Sequence, residues 1–256
     1  MLIEIERLEL DALKKLMHEE VLAIYVPQFV TSDLASNLYK QIIGYGFDKY
    51  LNAPSIGRIG MAFYEAENQP QLMENYFENA SNNINELRKR CMPYGSPIDL
   101  LRCALDEVWP AGAKLETLYG RKMYVGLSRV VKPEVLFLAH HDIFAKDAPD
   151  NFQAHSLQTQ IVANIYLSMP REGGALQIWD QQISPEEFDR MRGNSYGIEP
   201  AILGKATLEV CPKAGDLILF NSRRMHAVTP GTEGIRLSLS CFIGYRGIAT
   251  PLTFWS

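Results

Sequence analysis

From Arg121 onward the chain is a succession of short β-prone runs divided by glycine, proline and polar turns: RKMYVGLSRVV, EVLFLAHHD, QIVANIYLSM, ALQIWD, ATLEVC, DLILFNS and IRLSLSCFIGY. Runs this short cannot satisfy their own backbone groups and must pair with one another. Their regular recurrence predicts a sandwich, jelly roll or barrel. In a strand, residues i and i+2 share a face, so Arg236, Ser238 and Ser240 oppose Leu237, Leu239 and Cys241 and give one strand a polar and an apolar side. One helix interrupts the series, SPEEFDRMRG, opened by Ser184, Pro185 and Glu187 and stopped at Gly193.

The texture changes near residue 115. Before it the pattern is mostly helical: TSDLASNLYKQIIGYGF has Thr31 or Ser32 as N-cap and apolar residues at Leu34, Leu38, Ile42 and Ile43, and SPIDLLRCALDEVW has Ser96 as N-cap with Pro97 at the first helical position. The expected architecture is one domain over 1–256, mainly β with flanking helices, in which 1–114 is mostly helical and 115–256 forms the β-core.

Composition narrows the partners. A net charge of −5 leaves no basic footprint for nucleic acid. No apolar stretch approaches the roughly 18 residues of a membrane span, and the start MLIEIERLEL lacks a basic, apolar leader. The four cysteines include no C-x-x-C pair, which fits reduced thiols and a cytoplasmic setting.

Chemistry concentrates in LAHHDIF. On a strand, His140 and Asp142 project together while His141 points away, and an imidazole with a carboxylate suits a divalent metal. The third ligand in a strand context is His226, in GDLILFNSRRMHAVTP, expected to end a strand before TPGTEG reverses the chain as a hairpin into the Arg236 strand. An arginine turned into a β-core needs an anion, because an unpaired interior charge is costly. With Ser238 two residues on, Arg236 could grip a carboxylate by charge-assisted hydrogen bonds. The bound anion would then be a ligand.

On H-x-D, the distant His226 and R-x-S at Arg236, the sequence resembles the 2-oxoglutarate/Fe(II)-dependent oxygenases with a double-stranded β-helix (jelly-roll, cupin-like) core. IGRIGMAFYE, EGGALQIWD and GDLILFNSRRMHAVTPGTEGIRLSLSCFIG look like its stand-alone small-molecule branch, which includes N-acyl amino-acid hydroxylases and indole-alkaloid halogenases. The resemblance implies Fe(II) held by His140, Asp142 and His226, with 2-oxoglutarate and O2 as cosubstrates. It implies Arg236 and Ser238 on the keto acid, with Asn164 and Tyr166 alternating on a central strand to reach it. It also implies oxidation of an amino acid, amino-acid derivative or specialised metabolite, with succinate and CO2 as co-products. The halogenases have a small residue in place of the carboxylate ligand, and Asp142 therefore points to hydroxylation, with N-dealkylation, desaturation or cyclisation as related outcomes. Arg58, Tyr64 and Trp179 are the substrate-binding candidates.

Other readings compete. Singly, a histidine is more often a bonded core or surface residue than a ligand, and Arg236 could be a salt-bridge residue. Gly193-Asn194-Ser195-Tyr196-Gly197 matches the G-x-S-x-G nucleophile elbow of serine hydrolases, but the elbow needs a strand before Ser195 and a helix after it, and here the helix comes first. A non-catalytic metal-binding scaffold is the third class. His141 is expected to play a structural or supporting part, and His18 and His155 to lie on the surface.

Overall fold

The computed structural model describes residues 1–49, 55–66 and 69–256. Among them, the strands of the first half are β1 (Leu2–Glu4), β2 (Ala23–Val26), β3 (Asp48–Lys49), β4 (Ile56–Ile59), β5 (Ala113–Leu115), β6 (Thr117–Leu118), β7 (Arg121–Lys122) and β8 (Leu127–Val131). The second half adds β9 (Phe137–His140), β10 (Thr159–Ser168), β11 (Leu176–Ile178), β12 (Leu208–Val210), β13 (Leu217–Asn221), β14 (His226–Val228), β15 (Arg236–Tyr245) and β16 (Leu252–Trp255).

These strands build two main sheets. The larger runs β1-β2-β13-β10-β15-β8-β4-β3, with β16 also on β15, and the smaller runs β12-β11-β14-β9. From β8 to β15 the chain passes back and forth between them: β8, β10, β13 and β15 lie in the large sheet and β9, β11, β12 and β14 in the small one. That alternation is the double-stranded β-helix expected from the sequence.

Strand alternation sorts the core. Ile161, Ala163, Ile165, Leu217, Leu219, Leu237, Leu239 and Ile243 face out of the large sheet and pack under the N-terminal helices. Val162, Tyr166, Ile218, Phe220 and Phe242 point inward to meet Phe137, Leu176, Ile178 and Val228 of the small sheet. Burying each such side chain is worth about 1.5–3 kcal/mol.

The covering helices are α1 (Leu10–Met17), α2 (Ser32–Tyr45), α3 (Pro70–Cys91) and α4 (Pro97–Val108). α2 starts where Thr31 accepts a hydrogen bond from the Leu34 amide at 3.3 Å, a cap worth about 1 kcal/mol, and buries Leu34, Leu38 and Ile42. α4 begins after Ser96 as expected, although the Ser96 hydroxyl makes no capping bond; Pro97 sets the first turn. Short helices α5 (Phe144–Asp147) and α6 (Phe152–His155) follow β9, and α7 (Pro185–Arg192) is capped by Ser184 and closed by Gly193 at φ +55°.

Three expectations need correction. The N-terminal part is mostly helical but also supplies strands: β2 lies antiparallel to β13, and β1 extends the sheet beyond it. His226 does not end the DLILFNS strand; it opens β14 in the opposite sheet, after a crossover at residues 222–225. The TPGTEG turn is accordingly no simple hairpin, because β14 pairs with β9 and β11 while β15 pairs with β8, β10 and β16.

Candidate active site

The two histidines meet through strand register. β9 and β14 are antiparallel with His140 directly opposite His226, and their ring centroids lie 4.3 Å apart. The Nδ1 of each ring hydrogen-bonds to the carbonyl two residues earlier, His140 to Leu138 at 2.9 Å and His226 to Arg224 at 3.0 Å. Both contacts make Nδ1 the protonated nitrogen and leave Nε2 with its lone pair for a ligand. Asp142 lies just past the end of β9, not within the strand as H-x-D alone suggests, and its amide donates to the Ser222 carbonyl at 2.8 Å. Its Oδ2 stands 3.5 Å from His226 Nε2. One ligand atom from each of His140, Asp142 and His226 falls within 4.8 Å of the others.

Electrostatics favour the ligating forms. Burial, helped by the neighbouring His226, pushes His140 down from 6.5 to about 3, so the ring is neutral at physiological pH. Burial works against ionisation of Asp142, but His226, then His140 and Arg129, outweigh it and hold the carboxyl well below the usual carboxylate range.

The narrow cavity at the triad is lined by Arg129, Asn164, Arg236 and Ser238 from the large sheet and by Phe137, Leu176 and Val228 from the small one, with Phe220 alongside His226. Register explains the grouping: Arg58 is opposite Arg129, Arg129 opposite Ser238 and Ser238 opposite Tyr166, so one row crosses the inner face of β4, β8, β15 and β10. Arg236 is 5% exposed, its guanidinium carbon sits 5.1 Å from the Tyr166 ring centre, and burial pulls its pKa below the ordinary value. Four buried polar atoms here, Asp142 Oδ2, Asn164 Oδ1, Tyr166 Oη and Arg236 Nε, meet no partner at hydrogen-bonding geometry. Tyr166 lies beside Arg236 and Asn164, and four such atoms gathered around one cavity fit a site for a bound polar group.

The remaining sequence candidates are placed differently. Arg58 donates to Glu65 through Nε, with oxygen distances of 2.8 and 3.1 Å, and to the Gly60 carbonyl at 2.6 Å, so it is engaged with the 63–66 turn that carries Tyr64. Trp179 lies behind the small sheet with Ala139, Phe188 and Met225, and its indole donates to the Gly204 carbonyl at 3.0 Å. It is not among the residues lining the triad's cavity. His141 is buried on that outer side, its ring 4.3 Å from that of Phe188. Ser195 follows helix α7 with no strand before it, which removes the geometric basis of a hydrolase elbow. His18 and His155 are exposed, as expected.

Sequence reasoning missed Arg129 and Tyr196. Arg129 sits at a position of RKMYVGLSRVV that reads as a solvent-facing polar residue until pairing fixes which face is inward. Tyr196 lies in the loop after α7; its hydroxyl accepts from the Leu138 amide at 2.8 Å and its ring packs 6.2 Å from that of His140.

Comparison with known proteins follows the same lines. Residues 126–244 match the family model of the 2OG-Fe(II) oxygenase superfamily. The chain is 32% identical over 162 residues to the L-gamma-glutamyl-L-propargylglycine hydroxylase of Streptantibioticus cattleyicolor, a match covering 62% of this chain and 59% of that protein. It is 33% identical over 115 residues to the L-isoleucine 3(1)-dioxygenase of Pantoea ananatis, covering 42% of this chain and 38% of that one. The matched stretches thus span about three fifths and two fifths of these relatives. The fold resembles an N-substituted L-amino acid dioxygenase from Burkholderia ambifaria, solved in complex with alpha-KG, with a TM-score of 0.66 at 18% identity over 96% of this chain and 90% of that one. The matched stretch runs from β8 through nearly all of β15 and encloses every residue named above as lining the triad's cavity, so this part of the chain is similar to the 2OG-Fe(II) oxygenase superfamily.

Proposed function

We propose that the protein is an Fe(II)- and 2-oxoglutarate-dependent dioxygenase that hydroxylates an aliphatic C–H bond of an amino acid or amino-acid derivative. The observation that carries this reading is the meeting, in one cavity, of the His140–Asp142–His226 cluster and a buried Arg236 with unmet hydrogen-bonding capacity. Two imidazoles and one carboxylate suit non-haem Fe(II), and three protein ligands leave positions open for a chelating cosubstrate and O2. Bound there, the iron would supply the redox chemistry that couples 2-oxoglutarate decarboxylation to succinate and CO2 with transfer of oxygen to the substrate.

The chain's own residues supply the rest. In this reading Arg236 and Ser238 hold the distal carboxylate of 2-oxoglutarate, with Asn164 and Tyr166 as its polar neighbours, and Arg129 adds a second positive charge suited to a dianion. Phe137, Leu176, Phe220 and Val228 line the cavity with apolar surface and limit water. Arg58 acts through Glu65 to fix the turn that carries Tyr64, which is kept as a substrate-facing candidate. The substrate class is supported by the two relatives, whose names specify a γ-glutamyl amino acid and L-isoleucine. Among the described residues no helix is long and apolar enough to cross a membrane, and four free cysteines, two of them exposed, fit a reducing cytoplasm.

The test is incubation of the protein with Fe(II), 2-oxoglutarate and panels of free L-amino acids, γ-glutamyl dipeptides and N-acyl amino acids, following succinate and oxygenated product by mass spectrometry. Succinate rising with one panel member, beside a product heavier by one oxygen atom, is the expected result. Iron-loaded protein that consumes no 2-oxoglutarate under any condition would refute the proposal.

A further inference from the structure

The crossover Asn221-Ser222-Arg223-Arg224, which carries the chain from β13 to the His226 strand, is tied down at every residue. Asn221 donates to Glu19 at 2.8 Å. The Ser222 hydroxyl lies 3.2 Å from the Asp142 carbonyl and 3.3 Å from that of Gln160. Arg223 donates to the carbonyls of Gln158 and Leu157, each at 3.2 Å. The side chain of Arg224, 10% exposed, is held by Glu19 at 3.0 Å on one side and by Asp180 on the other. The same four residues touch both ends of the ligand set, since Ser222 bonds the backbone of Asp142 and the Arg224 carbonyl accepts the His226 Nδ1 proton.

Glu19 joins this crossover to the N-terminal helix. Its carboxylate receives Asn221, Arg224 and Gln182, the last at 3.0 and 3.2 Å. Its backbone is left-handed, at φ +62°, just past the end of α1, where glycine would be free of strain. A glutamate at such a site costs backbone energy that its side-chain bonds must offset.

We infer that Glu19 and Arg224 are positioning residues for the metal site: they fix the carbonyl that sets the His226 tautomer and ring direction, so that the ligands are arranged before metal arrives. The inference rests on the reading of His140, Asp142 and His226 as metal ligands. Groups that orient a ligating histidine through its second nitrogen typically alter metal affinity by about 10–100-fold.

Glycine at position 19 separates positioning from bulk stability, because it relieves the left-handed backbone while deleting the carboxylate. Co(II) serves as the probe, with affinity and the visible d–d spectrum as readouts on the metal-depleted protein. Glu19→Gly should melt within a few degrees of the parent yet bind Co(II) about tenfold more weakly, with a shifted spectrum. Arg224→Ala should do the same and Arg224→Lys should recover part of the loss. Arg246→Leu, which breaks a buried pair with Glu116 outside the crossover, should lower the melting temperature and leave Co(II) affinity unchanged. Folded Glu19→Gly and Arg224→Ala proteins that bind Co(II) with parental affinity and spectrum would overturn the inference. His140→Ala guards the underlying reading: if it too binds Co(II) like the parent, the ligand assignment itself has failed.

Discussion

His140 and His226 are cross-strand partners, opposite each other in the β9–β14 ladder with ring centroids 4.3 Å apart and each Nδ1 committed to a backbone carbonyl. Two strands of one sheet thus present a matched pair of imidazole Nε2 atoms, and the backbone beyond β9 brings Asp142 to them.

Replacing either histidine by alanine should therefore abolish tight Fe(II) or Co(II) binding, since two remaining ligands cannot hold the ion in a facial arrangement. His141→Ala should keep the metal and lose about 1–3 kcal/mol of stability, because it empties a buried site against Phe188. Calorimetric metal titration and thermal melts check both halves; equal metal loss in all three variants would contradict the assignment.

The metal-free protein should be acid-labile in a defined window. Burial holds His140 near 3 and His141 near 4, against an ordinary value of 6.5, so below pH 6.5 the unfolded chain binds more protons than the folded one. The histidines' contribution to stability rises with pH through that window and is lost as pH falls, by about 2 kcal/mol for each at pH 5. Urea unfolding of chelator-treated protein between pH 7.5 and about pH 5 measures this. Asp147, whose carboxyl burial pushes well above its ordinary value, works in the opposite sense, so the check is a difference. Acidification to pH 5 should cost His141→Leu about 2 kcal/mol less than the parent, and parallel profiles would contradict the burial of His141.

Gly197 controls how closely the loop after α7 approaches β9. A β-carbon there would stand 2.8 Å from the Ala139 carbonyl oxygen and from Leu138 Cβ, contacts that the backbone must yield to relieve. Gly197→Ala should cost about 1–3 kcal/mol and lower the melting temperature by about 2–4 °C for each kcal/mol. A melting temperature equal to the parent's would show that the loop is not packed this closely.

How far the sequence alone reaches depends on whether a feature is local. The β-runs, the α2 cap at Thr31 and the alternation of Arg236 and Ser238 are written in neighbouring residues, and they could be read. Long-range pairing could not: β2, four residues long, is a strand because β13 lies beside it. The crossover at Ser222–Met225 was hidden because LILFN and HAV read as one approach to a turn, although they occupy opposite sheets. Arg129 was passed over because alternation shows that a strand has two faces, not which one is inside. Trp179 drew attention as an aromatic after two glycines, yet its position one residue beyond β11 turns it to the outer side of the small sheet.

The central claim is that this cavity holds Fe(II) on His140, Asp142 and His226 and anchors 2-oxoglutarate on Arg236. Anaerobic titration of the iron-loaded protein with 2-oxoglutarate, followed by the metal-to-ligand charge-transfer absorption of the chelate, tests it most directly. The parent should develop the band and saturate. Arg236→Leu should keep its iron but need tens to thousands of times more 2-oxoglutarate, the equivalent of about 2–5 kcal/mol for a lost charge-assisted contact, and His226→Ala should show no band. An Arg236→Leu protein that titrates like the parent, or a full band in His226→Ala, would contradict the account.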